Sequence, residues 1–260
     1  MPKVNVNNIE LDYLDQGQGS PIILLHGLGS TKQDWDAQVP FFSKEFRVLV
    51  PDLRAHGNTT IPNEDYGVSF MVEDVKQLMD ELQIEHAHFV GFSMGGAVAF
   101  QMAVSHPEYV DKMVIVNSGP DFNGMGQIGD DLISHRTEFL RTRGLDELAA
   151  EISYNMFPEE DQKEMRMIFE KRCKENHPKA YEKSFLTLMS WGLGEDLKKI
   201  DHATLVIASD MDYTSVDFKK EYVSRMANAR LEIIENSRHG VVMDQSLAFN
   251  QTLYNFLKNE

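Results

Sequence analysis

The sequence predicts an α/β fold: a mostly parallel, eight-stranded sheet with helices on both faces and a helical cap inserted into it. Three observations point there. Six short apolar runs recur along the chain, each bounded by turn residues, as strands buried on both faces require. Segments of helical period alternate with those runs, the pattern of a parallel sheet joined by crossover helices. Residues 121–199 depart from the alternation and carry helical patterns with no strand signal.

The elements follow in order. Val4 and Val6 alternate with polar residues, Asn7-Asn8 can turn, and Ile9, Leu11 and Tyr13 resume the alternation, which predicts a β-hairpin. Strands are expected at 21–25, 47–50, 87–90 and 112–116, and later at 203–208 and 231–234. Val68, Met71, Val72, Val75, Leu78, Met79 and Leu82 recur at three- and four-residue spacing and predict a helix. A second helix runs from Ser93 to about Ser105, where His106-Pro107 stops it. Four helices are expected near 127–142, 144–156, 158–175 and 178–191, the third opened by Pro158 and the acidic Glu159, Glu160 and Asp161. Leu247, Leu253, Phe256 and Leu257 mark a last helix. The expected organisation is a core domain of residues 1–120 and 200–260, interrupted by a cap of residues 121–199. The cap leaves the chain at a strand's C-terminal end, the edge where ligands bind in open α/β sheets.

Composition narrows the function classes. The chain has 260 residues, 42% hydrophobic and 25% charged, which excludes a disordered protein. Lys and Arg number 25 against 41 Asp and Glu, a formal charge of -16. Such a surface repels phosphate backbones and anionic membranes, so neither nucleic acid nor a membrane surface is an expected partner. One cysteine, Cys173, permits no disulfide within the chain. No apolar stretch of about eighteen residues and no leader-like apolar segment is visible, so the expectation is a soluble, cytoplasmic, globular protein.

The chemistry concentrates in Gly91-Phe92-Ser93-Met94-Gly95, followed by Gly96. The string G-x-S-x-G is short, but here a strand precedes it and a helix follows. A sharp strand-to-helix turn forces the central serine into strained backbone angles, and small residues on either side let neighbouring backbone pass. The hydroxyl then stands at a helix N-terminus, where the dipole favours developing negative charge. A serine nucleophile needs a base, and the base needs a carboxylate. Of nine histidines, His239 follows the strand at 231–234 and precedes the last helix, a place from which it can reach Ser93. The acid belongs after an earlier strand. Asp212 is the preferred candidate, Asp210 reads as a turn residue, and Asp121, after the strand at 112–116, is a third possibility. Backbone N–H groups of Met94 and of Leu28, in the loop His26-Gly27-Leu28-Gly29-Ser30, are expected to form the oxyanion hole. His26 itself reads as a structural hydrogen-bonder. No metal-ligand spacing and no G-x-G-x-x-G after a strand is present, so neither a metal nor a cofactor is expected.

These motifs together resemble the α/β-hydrolase superfamily of esterases, lactonases, C–C hydrolases and cofactor-free haloperoxidases. The resemblance rests on HGLG at 26–29, DLRAHGNT at 52–59, GFSMGG at 91–96, SDMD at 209–212 and RHG at 238–240. In the second string Ala55 replaces the usual glycine and Thr59 the usual serine, so that loop is expected to differ slightly in path. The resemblance carries the family's acid position to Asp212. It argues against the aspartate-nucleophile members, the haloalkane dehalogenases and epoxide hydrolases, because the elbow holds Ser93. It also implies a pocket wall, for which His26, Gly27, Trp35, Phe92, Met156 and Trp191 are the candidates.

The expected activity is hydrolysis of a carboxylic ester of small or medium size through an acyl-enzyme on Ser93, with an ester or lactone as the small-molecule partner. C–C hydrolysis, enol-lactone opening and perhydrolysis use the same nucleophile and oxyanion hole, so the triad does not separate them. The rival of a different class is a small-molecule receptor that keeps the triad.

Overall fold

The computed structural model describes residues 2–64 and 66–258. Its sheet is built from β1 (Lys3–Val6), β2 (Ile9–Gln16), β3 (Pro21–Leu25), β4 (Arg47–Pro51), β5 (Ala87–Phe92), β6 (Val110–Val116), β7 (Ala203–Ser209) and β8 (Ala229–Ile234). The spatial order is β1-β2-β4-β3-β5-β6-β7-β8. β1 and β2 form the expected hairpin, turned by Asn7 and Asn8 at φ 42 and 63. Two consecutive positive-φ residues make a turn whose twist matches that of the flanking strands. β2 pairs antiparallel with β4, and all later pairs are parallel.

The parallel strands bury both faces, with period-two side chains dividing the core. Ile22, Leu24, Val48, Val50, Val114, Val116 and Ile207 face Trp35, Phe249 and Leu253. Ile23, Leu25, Leu49, Met113, Ile115 and Val206 face the helices Val68–Glu81 and Met94–Ser105 through Val72, Val75 and Val98. The helix Met94–Ser105 is buried nearly all round, so its sequence carries almost no amphipathic stripe. Ser246–Lys258 covers the other face.

Strand order decides where the site lies. From β3 the chain moves to one side, into β4, then crosses back to place β5 on the other side of β3. The C-terminal ends of β3 and β5 therefore flank a topological switch point, the crevice where open α/β sheets bind ligands. The loop 26–30 and Ser93 emerge there.

Between β6 and β7 stand the helices Gln127–Met156, Lys163–Lys174 and Pro178–Met189. The first bends at Gly144 (φ 84, ψ 175), where two separate helices are expected from sequence. Glu159 caps a short turn, Glu160–Gln162, that leads into the next helix through a reciprocal capping box with Gln162. Pro158 thus lies outside the helix that it was expected to open. An isolated bridge between Asp121 and Gly192 ties the two ends of the segment together. Among the described residues, no helix is long and apolar enough to cross a membrane.

Candidate active site

Ser93 ends the turn between β5 and its helix with φ 52 and ψ -115, a conformation side chains rarely adopt. The turn is possible only because its neighbours are small. A Cβ on Gly91 would lie 2.2 Å from the Gly95 carbonyl oxygen, and a Cβ on Gly95 would lie 2.2 Å from that of Leu25. The strain is held by tertiary bonds: Ser93 N–H donates to Val116 O at 2.9 Å, and the Ser118 hydroxyl donates to Ser93 O at 2.7 Å.

The loop after β3 is pinned from below. Leu53 N–H donates to His26 Nε2 at 2.9 Å, which places the ring proton on Nδ1, facing Gly27 O at 2.8 Å. Burial, reinforced by nearby His56, pushes His26 well below the usual histidine range, so the ring is neutral and structural. A Cβ on Gly27 would sit 3.5 Å from the Ser93 Cβ, so this loop and the elbow touch. Gly27, Leu28, Phe92 and Ser93 open onto one cavity of about 560 Å³. Met94 begins the helix, where its N–H has no partner within the helix itself.

His239 follows β8 and is 6% exposed. Its Nδ1 lies 2.7 Å from Asp212 Oδ1. The other two acid candidates are elsewhere: Asp210 accepts from Ser237 N–H at 3.1 Å, and Asp121 lies against Gly192. The Asp212 side chain is completely enclosed. Its Oδ2 accepts from Lys219 Nζ at 2.7 Å, and the Thr214 hydroxyl also donates to it. Burial disfavours the Asp212 charge, but His239 and Lys219 outweigh it and hold the carboxyl at about 2. Lys219 is itself fully enclosed and donates to Thr214 O at 2.5 Å. Burial pushes its pKa below the usual lysine value, and Asp212 opposes that shift.

Tyr213 carries no signal in the sequence, yet it touches this constellation. Its hydroxyl lies 2.7 Å from His239 Nε2, and its ring stacks on the imidazole with centroids 4.2 Å apart. With Nδ1–H directed at Asp212, Nε2 is the acceptor and Tyr213 the donor. The Tyr213 ring and Ser93 line the same cavity. Tyr213 is 64% exposed as a residue, but its hydroxyl end is enclosed against His239; that local burial and the Asp212 charge raise its pKa and keep the phenol protonated. The Tyr213 hydroxyl thus occupies His239 Nε2 at the wall of the cavity that Ser93 also lines.

Three pocket candidates lie outside that cavity. Trp35 is fully buried beneath the sheet against Phe249, 6.0 Å between ring centroids, because an indole fills the gap between β-sheet and last helix. Trp191 packs on Phe122 and donates its Nε1–H to Gln101 at 2.8 Å, a core position on the opposite face. His26 lies under the loop, as described. Gly27, Phe92 and Met156 do line the cavity, together with residues of the helical segment that include Ile128, Leu132, Arg136 and Tyr181. Among the described residues, no group of three or more His, Cys, Asp or Glu side chains is arranged to hold a metal.

The loop 52–59 is structural. Asp52 takes Lys32 N–H at 2.8 Å, Lys32 Nζ at 2.5 Å and Asn58 N–H at 3.0 Å, while Arg54 pairs with Asp74 at 2.6 Å. Ala55, where glycine is usual, keeps the left-handed conformation at φ 66.

Known proteins match the chain along most of its length. A family model described as alpha/beta hydrolase fold matches residues 20–246. An uncharacterized protein of Mycobacterium tuberculosis is 36% identical over 103 residues, which span 40% of this chain and only 30% of that protein. The 3-oxoadipate enol-lactonase 2 of Acinetobacter baylyi is 26% identical, over 98% of this chain and 96% of its own length. The crystal structure of the enol-lactonase from Burkholderia xenovorans LB400 superposes with a TM-score of 0.92 at 26% identity, covering 99% of this chain and 100% of that one.

Proposed function

Since the chain belongs to the alpha/beta hydrolase family, we propose that it is a serine hydrolase that cleaves a carboxylic ester of small or medium size through an acyl-enzyme. The observation that carries this reading is the arrangement of His239. Its Nδ1 faces the Asp212 carboxylate at 2.7 Å, its Nε2 meets the Tyr213 hydroxyl at 2.7 Å, and His239 and Ser93 line one cavity.

The ester enters between the loop 26–30 and the helical segment 121–199, which serves as the cap. Its alcohol oxygen takes the place of the Tyr213 hydroxyl beside Nε2, and the phenol turns aside. Ser93 Oγ attacks the carbonyl carbon as Nε2 takes the hydroxyl proton. Asp212 holds the imidazole in the correct tautomer and balances its charge. The carbonyl electron pair moves onto oxygen, which accepts from the Leu28 and Met94 N–H groups; loss of one such donor costs about 3 kcal/mol of barrier. His239 returns the proton to the leaving alcohol. Water, deprotonated at Nε2, then attacks the acyl carbon; the bond to Ser93 Oγ breaks, and Nε2 returns the proton to Oγ as the acid leaves.

A second reading is lactone opening, favoured by the two enol-lactonases that align along nearly the whole chain. It uses the same steps, with the leaving alcohol tethered to the acyl group. The test is a chain-length series of p-nitrophenyl esters with an enol-lactone and a C–C substrate alongside, on the wild type and on Ser93→Ala. The ester reading predicts many turnovers per molecule, lost in Ser93→Ala. Preferential lactone turnover would select the second reading, and at most one turnover on every substrate would contradict both and indicate a receptor.

A further inference from the structure

The cavity holds cationic groups that the reaction does not use. In a chain with 41 acidic and 25 basic residues, a guanidinium normally finds a carboxylate. Among the described residues, every arginine except Arg136, Arg166 and Arg238 has a carboxylate oxygen within 4.0 Å. Two of those three, Arg136 and Arg238, line the cavity of Ser93 and His239.

Arg136 is held in place by neutral partners. Its guanidinium carbon lies 5.0 Å from the centroid of the Phe185 ring, and its Nη1 donates to the Tyr181 hydroxyl at 3.4 Å. These contacts leave guanidinium N–H groups without an anion. Tyr181 is almost fully buried, and burial pushes its phenol up to about 12, so it stays protonated. Because its oxygen accepts from Arg136, its own proton is free to be donated. Tyr181 also packs on the loop after β3, where a Cβ on Gly29 would meet its ring at 2.8 Å. The pair therefore reaches from the helical segment to the loop beside Ser93. The Arg136 charge opposes the rise in the Tyr213 pKa, and the Tyr213 hydroxyl lies 2.7 Å from His239 Nε2. Among the described residues the cavity's one carboxylate is Glu151, whose nearest basic group is the His135 ring, 3.7 Å away.

We propose that Arg136 and Tyr181 form a carboxylate-binding subsite, so that the preferred substrate is an ester or lactone that carries a second, free carboxylate. This rests on the hydrolase reading for the reaction but not for the binding. A guanidinium fork matches a carboxylate with two parallel hydrogen bonds, and a phenol proton supplies a third. Arg238, on the loop that carries His239, adds positive charge to the same cavity. The surrounding charge of -16 makes such a local cation necessary, since the bulk surface repels a dianionic product and an anionic substrate alike.

The test compares methyl half-esters of glutaric, adipic and pimelic acid with neutral methyl esters of equal acyl length, on wild type, Arg136→Gln, Arg136→Lys and Tyr181→Phe. The subsite predicts a half-ester preference in kcat/KM of about ten- to a hundredfold in the wild type, abolished by Arg136→Gln. Arg136→Lys keeps the charge without the fork and retains part of it, and salt weakens what remains. Calorimetry on Ser93→Ala with the same half-esters separates binding from chemistry. Binding that vanishes in Ser93→Ala/Arg136→Gln, with no turnover in wild type, upholds the subsite and rejects the reaction. Neutral esters turned over as well as half-esters, with a ratio that Arg136→Gln does not change, overturns the subsite and leaves the hydrolase standing. No half-ester binding to Ser93→Ala overturns the subsite as well.

Discussion

Replacing Asp212 by Asn removes a charge that pairs with the Lys219 ammonium and anchors the His239 imidazole. His239 Nδ1 lies 2.7 Å from one oxygen and Lys219 Nζ 2.7 Å from the other, and the Asp212 and Lys219 side chains are both 0% exposed. In the variant, Lys219 keeps only the Thr214 carbonyl and hydroxyl as partners. Stranding one member of a buried ion pair costs about 3–5 kcal/mol, and the two remaining acceptors put this case near the lower end. Linkage gives a compatible figure. A carboxyl held at about 2 in the folded chain, against about 3.9 unfolded, contributes about 2–3 kcal/mol. Because the folded value is the lower one, that contribution is fully present above pH ~4 and is lost as pH falls towards 2. The imidazole also loses the anchor that sets its tautomer, so kcat/KM should fall about ten-thousand-fold. The double variant Asp212→Asn/Lys219→Met removes the stranded ammonium. It should recover most of the lost stability and none of the rate. Urea unfolding at neutral and acid pH, with kcat/KM on the best ester, reads both quantities. An Asp212→Asn protein as stable as wild type, or a double variant no more stable than the single, would refute the charge coupling. A rate within tenfold of wild type would refute the role of Asp212.

Two further outcomes follow from local geometry. Tyr213→Phe keeps the ring on His239 but removes the hydroxyl from Nε2, so Ser93 acylation should be unchanged or a few-fold faster in stopped-flow; a hundredfold loss would instead make the phenol an obligatory proton carrier. Ala55→Gly relieves a left-handed residue at φ 66 and should raise stability by about 0.5–1 kcal/mol in thermal unfolding; a loss would show that the methyl group packs better than the strained backbone suggests.

The strands and the elbow were legible because their causes are local. Period-two apolar runs bounded by turn residues can bury both faces only in a covered sheet, and Gly91, Ser93 and Gly95 record a steric requirement of one turn. Order along the chain and position after strands point to His239 and Asp212, which the fold brings within 2.7 Å of each other. What escaped depends on tertiary partners. Trp35 and Trp191 were assigned to a pocket wall, but nothing in their flanking residues tells a cavity aromatic from one packed on Phe249 or Phe122. Tyr213 follows the acid directly, and only the fold of that loop brings its hydroxyl to Nε2. Lys219 is not singled out by any sequence motif, though its spacing to buried Tyr222 and Met226 places it on an inward stripe. Arg136 lies in a helix rich in charge, and its lack of a carboxylate partner becomes visible only when the other arginines have found theirs.

The central claim is that Ser93 is the nucleophile that carries the acyl group. It is tested most directly by mixing the protein with a slowly deacylated p-nitrophenyl ester and measuring product burst and intact mass together. The account predicts a burst close to one nitrophenolate per chain, a mass increase equal to the acyl group, and fragmentation that places it on Ser93; Ser93→Ala should show neither. A burst without the adduct on Ser93, or steady turnover in Ser93→Ala, would contradict it.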